Sequence, residues 1–529
     1  MNKSKKITAL LLSAAMAVSV TACSQSEGGG NVSTGGDTET SQSSFAEPVV
    51  DSLDPNAETG TIKWLVYEDL VTEMADMVTL FEVRYGGSVD QEICASGGAY
   101  FDRLGTLIAG GESPDIVRYE WRSFPHGISY NMYTPIDSYI DFNSELWTDV
   151  RDVAEQFAYN GKHYYAPNSL ATNYALNYNN RVLEENGMTD PMTLFEADSW
   201  TWSTFEDMLK TWCDMNPDHI GYNGVGGMSF VLTTGTKTID IENGQIINNL
   251  RNENVQRCMT WLEGLRKEGL LGADAAQMEH GASNGYVAPQ EAFVDGNLLF
   301  LGMDPTWAYG AAKEALDGKL ITNEIKFVPF PKDDLADAYY HGGSSTGYMI
   351  PSGAKNIKGA LDWIVLNRTV ETDPDEIAAA RAKALDDSKD YYPICANSDC
   401  GDAENGDSKG RHIFTDEENA AGTDTCPVCG TARKERYKVV WTQEQYDLWQ
   451  ELKSDEGRFT LLFDNVYGFS DDISNLFIGT GSFLDGPVFD DESYTTLVET
   501  NYSVVEGYLQ PYRDRMKSGA GNPADVAAE

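Results

Sequence analysis

Apolar positions along the chain switch between a strand period and a helix period, and the switches set out the expected elements. Ile62 to Tyr67 is a compact apolar run that reads as a strand. Leu70, Met74, Met77, Val78 and Phe81 then fall at helical spacing, and Gly86-Gly87 ends that helix. Ser88 to Ile93 is a second strand. Phe101, Leu104, Leu107 and Ile108 mark a second helix, stopped by Gly110-Gly111, and Pro114 to Tyr119 is a third strand. Strand–helix–strand–helix–strand with short turns predicts a parallel sheet with right-handed crossovers, and hence an α/β fold. Ligands of such sheets sit past the carboxyl ends of the strands. Those ends carry Tyr67-Glu68-Asp69, Ala95-Ser96-Gly97-Gly98 and Glu120-Trp121.

The stretch from Glu291 to Tyr309 repeats the pattern more sharply. Asp295-Gly296 stops a helix, because glycine takes the left-handed cap conformation. Leu298 to Leu301 is a continuous apolar run, expected as a buried strand, and it ends in Gly302-Met303-Asp304-Pro305-Thr306-Trp307. Asp304 and Trp307 at the tip of a buried strand are candidate ligand contacts. The competing reading is a core strand followed by a turn, with Trp307 packed at its edge.

Composition narrows the function. The 529 residues suffice for two domains, and 83 acidic against 38 basic side chains leave a net charge of −45. That balance argues against nucleic acid as a partner, because nothing would neutralise its phosphates. Lys3, Lys5 and Lys6 precede an apolar stretch, Ile7 to Val20, that is short for a membrane span and reads as an export signal. The signal ends in Val20-Thr21-Ala22-Cys23, which resembles a bacterial lipoprotein box with Val in the usual Leu position. The resemblance implies cleavage before Cys23 and a diacylglycerol on its sulfur; two acyl chains suffice for stable anchoring. The Ser-, Gly- and acid-rich stretch up to residue 60 is then a tether off the membrane.

The elements from Thr61 onward resemble, in order, the bacterial extracellular solute-binding proteins of family 1, which are similar to maltose-binding protein and serve ABC importers. The residues that carry this are Gly110-Gly111-Glu112-Ser113-Pro114-Asp115-Ile116, His163 to Ser169 with Tyr174 to Asn179, and Ser199 to Phe205. Phe293, Gly296, Gly302 and Trp307, Lys326 to Pro331, and His341 to Ile350 continue the series. Thr201 or Ser203 is a candidate helix cap, and Glu206 stands at capping-box spacing from Ser203. The resemblance implies a two-lobe periplasmic-binding-protein-like fold of type II. It suggests a first lobe of 61–166 with 326–370 and a second of 167–325 with 437–517, after a signal at 1–22 and an anchored linker at 23–60. The tail beyond Lys517 is expected to fray.

Residues 371–436 depart from that pattern and read as an insertion. Cys395 and Cys400, then Cys426 and Cys429, form two tight pairs. Four such thiolates can enclose a tetrahedral structural zinc, as in a zinc ribbon. Two disulfides are the alternative for an exported chain. Cys213 and Cys258 fall in helical stretches and read as buried thiols, with a bridge between them left open.

Sugars need flat aromatic platforms beside carboxylates, amides and backbone N–H groups. The expected cleft supplies Trp307, Trp121, Tyr67 and Tyr348 as platforms. Glu68, Asp304, Asn168, Ser96 and Glu120 supply hydrogen bonds, and Gly97 and Gly343 give room for backbone approach. The function implied is capture of a small solute, a sugar or oligosaccharide, for delivery to ABC permease subunits from the outer face of the cell membrane, and not catalysis. The membrane itself is reached only through the anchor. Two other readings are a glycoside hydrolase using Glu68, Asp69, Glu120 or Asp304, and a surface scaffold working through the ribbon. No Gly-x4-Gly-Lys-Ser/Thr phosphate loop is present, so the chain is not the transporter's ATPase.

Overall fold

A computed structural model describes residues 58–528, except 173, 243, 273–291, 310–323, 387–390, 398–399, 403–410, 438–439, 455–456, 480 and 520. The signal segment, the Cys23 anchor site and all but the end of the tether lie outside the described residues. Among the described residues no helix is long and apolar enough to cross a membrane.

Strand β1 (Thr61–Val66) pairs in parallel with β2 (Ser88–Ile93). The helix expected between them is broken. Met74 leaves helical geometry (φ −105°, ψ 30°), so a separate turn at Leu70–Glu73, capped by Asp69, precedes α1 (Ala75–Tyr85). Gly86 closes α1 in the left-handed conformation, as its position predicts. Helix α2 (Gly98–Ala109) ends at Gly110-Gly111. The third strand is much shorter than expected: β3 is only Val117–Arg118, with a single parallel bridge from Ile116 to Trp64. Asp115 explains this. Its buried carboxylate accepts the backbone N–H groups of Lys63 (2.9 Å), Lys355 (3.0 Å) and Asn356 (2.7 Å). It therefore pins three segments together where a ladder would otherwise run.

The chain crosses through β4 (Tyr165–Thr172) into β5 (Ala175–Asn179). Helix α3 (Trp202–Met215) follows, then β6 (Ile220–Gly224), the hairpin β7 (Ile239–Glu242) and β8 (Gln245–Asn248), and α4 (Glu253–Lys267). Thr201 caps α3 and is reciprocated by Thr204. Glu206, expected to partner Ser203, instead binds Lys210 Nζ (2.6 Å) and Trp261 Nε1 (2.8 Å). The capping oxygen three residues on was already present in Thr204. Strand β9 (Leu298–Met303) is buried throughout, as its apolar run predicts. It lies between β5, antiparallel, and β6, parallel, with β10 (Ile325–Val328) on the outer side of β5. Gly302 is needed there, because a Cβ would fall 2.4 Å from the Tyr222 hydroxyl.

Strand β11 (Tyr339–Met349) carries the chain back and joins the two regions. It pairs antiparallel with β4 and β3. After α5 (Ile357–Thr372) comes an inserted two-stranded ribbon, β12 (Tyr391–Cys395) against β13 (Arg433–Tyr437). Helix α6 (Gln443–Leu452) leads to β14 (Phe459–Leu462), parallel to the first residues of β11, and then to α7 (Asp471–Phe477) and α8 (Tyr494–Ser518). The tail does not fray at Lys517. Gly519 caps α8, Asn131 Nδ2 donates to the carbonyls of Gly519 (3.0 Å) and Gly521 (2.7 Å), and Val526 is buried. The seat is Gly105 on α2, whose missing side chain lets the Pro523 carbonyl approach. Cys94, Cys213 and Cys258 are free thiols, so no bridge joins the last two.

His341 on β11 is buried against the Phe459 ring, and burial lowers its pKa from the ordinary 6.5 to about 4. The folded protein thus resists the proton that the unfolded chain accepts. Stability from the neutral ring is complete above pH 6.5 and is lost as pH falls toward 4. Urea unfolding of wild type and His341→Leu across this window should show the wild type losing roughly 3 kcal/mol more than the variant. A difference that does not change with pH would refute the assignment.

Candidate functional site

The ends of β1 and β3 bring together residues far apart in sequence. Tyr67 follows β1, Glu120 follows β3, and the Tyr67 hydroxyl donates to the Glu120 carboxylate. Burial raises the pKa of Glu120; the Tyr67 hydrogen bond and the Arg118 guanidinium oppose that rise, and the Glu68 charge adds to it. The same burial, with the charge of Glu120, pushes the Tyr67 phenol upward. Tyr67, Glu68, Arg118 and Glu120 line one small cavity, and Arg118 also lines a second with Glu73, Asn168 and Thr346. Arg118 had no role in the sequence reading; as one polar residue in a short apolar strand, it gave no signal beyond its position. Asp69 acts as a cap, its carboxylate accepting from Thr72 N (3.2 Å) and Thr72 Oγ1 (2.7 Å).

Next to Glu120 the chain presents an aromatic surface. Trp121 is 46% exposed and meets Tyr467, 39% exposed, with ring centroids 5.3 Å apart. Tyr467 was not anticipated, since a lone Tyr-Gly step is too common to mark a site. Arg122 makes an ion pair with Asp471 and ties the Trp121 turn to α7. Ser96 and Gly97 are exposed in the loop after β2, and Gly97 (φ +70°) opens α2. The following Gly98 lies beside Arg122, so this loop borders the same face.

At the end of β9, Trp307 is 62% exposed in a helical turn that begins at 305. It does not pack as a core edge. Asp304 holds that turn: its Oδ1 accepts from the backbone N–H of Thr306 (2.7 Å) and of Trp307 (3.3 Å). Asp304 thus acts first as a cap that orients Trp307, and burial raises its pKa.

Two expected contacts, Tyr348 and Asn168, lie deeper than the sequence suggested, and Gly343 is crowded on one side. Tyr348 is buried, packed edge-on against Trp64 and Trp363, with its hydroxyl donating to Asn367 Oδ1 (3.0 Å). Protein occupies its ring faces, so it offers no open platform. Gly343 is half-buried, and the Phe463 ring and Leu461 occupy the side on which a side chain would stand. Asn168 is buried in β4, where its carbonyl accepts from Arg368 and its side chain lines the second cavity.

The inserted ribbon gathers its four cysteines. The sulfurs of Cys395, Cys400, Cys426 and Cys429 all lie within 4.8 Å of one another, with Cys395–Cys429 at 3.4 Å and Cys400–Cys426 at 3.5 Å. A disulfide needs about 2.05 Å, whereas tetrahedral ligation at about 2.3 Å sets sulfurs near 3.8 Å apart. Each pair is followed by a left-handed glycine, Gly401 (φ +74°) and Gly430 (φ +75°), which turns the backbone around the cluster. The Thr431 hydroxyl and N–H hold the Cys429 thiol down at about 6, while burial pushes Cys395 up to about 12. This donor set fits a structural divalent metal.

Residues 77–375, more than half of the chain, match the family described as bacterial extracellular solute-binding protein. Among solved structures, an uncharacterised protein from Listeria monocytogenes is similar with a TM-score of 0.53 at 13% identity, over 85% of this chain and 100% of that one. A sugar transporter from Rhizobium etli in an open conformation gives 0.51 at 15% identity, over 87% and 99%. An ABC substrate-binding protein from Listeria monocytogenes in complex with cycloalternan gives 0.50 at 15% identity, over 88% and 99%. At these identities the likeness is one of fold. No curated protein matches the chain.

The Tyr67–Glu120 hydrogen bond stabilises the charged carboxylate. Tyr67→Phe should therefore move the Glu120 pKa further up, as read by NMR titration of the side-chain carboxyl carbon. An unchanged or lower value would mean that the phenol does not donate to it.

Proposed function

The chain belongs to the bacterial extracellular solute-binding protein family, and on that premise we propose that it captures a carbohydrate between its lobes and presents it to an ABC permease. The observation that carries the sugar assignment is the exposure of Trp121 and Tyr467 next to Glu120, and of Trp307 at the end of β9. Flat rings receive the C–H faces of a sugar, and carboxylates and amides receive its hydroxyls. Two of the fold relatives are described as holding cycloalternan and as a sugar transporter. Asp69 and Asp304, two of the four carboxylates a glycosidase pair would draw on, serve as helix caps, which favours capture over hydrolysis.

Closure of 167–325 with 437–517 onto 61–166 with 326–370 would enclose the sugar, and a permease can distinguish the closed form. Cys23 carries the lipid that keeps the protein at the outer face of the membrane. The four-cysteine ribbon holds a zinc ion that orders the insertion and has no open position for a substrate.

A thermal-shift panel of mono- and oligosaccharides, amino acids, peptides and polyols tests the capture reading. A cognate sugar at a hundred times its Kd should stabilise the fold by about 2.7 kcal/mol, and Trp307→Ala should weaken or abolish the response. A response to another solute class alone would refute the sugar assignment, and none from any class would favour the scaffold reading. For the ribbon, elemental analysis should find one zinc per chain, lost in Cys400→Ser, with the solute response retained. Absence of zinc from protein purified without chelator would refute the metal assignment.

A further inference from the structure

The four sulfurs of the ribbon are not equivalent. Cys395, Cys400 and Cys426 are buried, whereas Cys429 is exposed, with its sulfur 3.4 Å from the Thr431 hydroxyl at the surface. Cys395 meets Cys429 at 3.4 Å and Cys400 meets Cys426 at 3.5 Å, so each contact joins the first cysteine pair to the second. A disulfide at either contact needs only a closure to about 2.05 Å. The ribbon also has fastenings that do not involve sulfur. Buried His412 gives its carbonyl to Cys395 N (2.8 Å), and its ring nitrogens lie against Asp402 (2.5 Å) and Glu418 (3.1 Å). Beyond the strands, Ala396 N donates to the Ala432 carbonyl (3.0 Å) and Cys426 N to that of Thr431 (2.8 Å).

We propose that this cluster is a site of oxidation by small hydroperoxides, at which Cys429 is oxidised first and the metal is exchanged for the disulfides Cys395–Cys429 and Cys400–Cys426. The inference rests on the metal reading above. Oxidation of a thiolate follows its access to solvent, and Cys429 is the exposed member of the four. Its thiolate attacks one peroxide oxygen, the O–O bond breaks, and the products are a sulfenic acid on Cys429 and a hydroxide. The Cys395 sulfur then attacks the Cys429 sulfur, forming the S–S bond and expelling a second hydroxide. Two electrons pass from the two sulfurs to the peroxide, and two protons from solvent turn the hydroxides into water. Cys400 and Cys426 alone do not close a tetrahedral site, so the metal is lost, and a second peroxide joins these two in the same way. Both bonds tie the first pair to the second, as the metal does, so the ribbon keeps its fold in either state.

The test starts from the whole protein, reduced, loaded with zinc and then freed of reductant. Hydrogen peroxide is added up to a tenfold excess. Zinc release is followed with a chromophoric chelator, and disulfides are mapped by alkylation and peptide mass spectrometry. One zinc should leave per chain, Cys395–Cys429 should form before Cys400–Cys426, and proteolysis within 371–436 should be no faster after oxidation than before. Zinc retained at tenfold excess, the reverse order of bonds, bonds within the pairs (Cys395–Cys400 and Cys426–Cys429) or faster cleavage would each overturn the proposal. A protein that takes up no zinc under reductant would instead sink the metal reading itself, and this proposal with it.

Discussion

A single strand holds the two halves of this molecule in register. Along its eleven residues β11 is bonded to β14 at 339–342, to β4 at 343–349 and to β3 at 348–349. Its backbone is shared by β3, β4 and β14, and one of its own side chains, His341, packs against Phe459 of β14. A second lock acts on β4. Arg368, fully buried on α5, gives its guanidinium protons to the carbonyls of Asn168 and Leu146 and to the Asp149 carboxylate. A buried guanidinium is costly unless all its donors are met, so α5 and β4 cannot separate without stranding a charge.

The aromatic residues divide by how their faces are used. Trp64, Tyr348 and Trp363 stack edge to face inside one core and are structural. Trp121, Tyr467 and Trp307 leave large ring areas in water at the ends of the elements that carry them. Exposed rings cost free energy unless something covers them, and the carboxylates and guanidinium beside two of them supply the polar edge a sugar would need. The overall charge of −45 says little about this place. Locally, Arg118 sits among carboxylates, and burial decides the balance.

The inserted ribbon follows separate logic. Among the described residues its strands pair with each other and with Ile413 inside the same insertion, and its small core is made of Cys395, Cys400, Cys426 and Phe414. So few apolar groups make a weak core, and convergent sulfurs around a metal are the usual remedy in a segment this size. The ribbon can therefore be carried as an insertion after α5 without altering the ladders on β11.

The sequence alone determined what depends on near neighbours. Apolar period located β1, β2, β9 and the helices between; glycines marked the ends of α1 and α2; paired cysteines marked the ribbon; and the order of short motifs indicated the family. The break at Met74, the two-residue β3 and the seated tail were not legible. Each depends on a distant partner: Asp69 drawn into a separate cap, Asp115 binding amides from two other segments, and Gly105 clearing a seat for Pro523. The site divides likewise. Trp307, Trp121, Tyr67 and Glu120 stood at predicted strand ends, where local pattern suffices. Tyr467 and Arg118, and the removal of Tyr348 to the interior, were decided by tertiary packing. Which face of a ring or backbone meets water is set by the segment that arrives opposite it, and local sequence does not record which segment that will be.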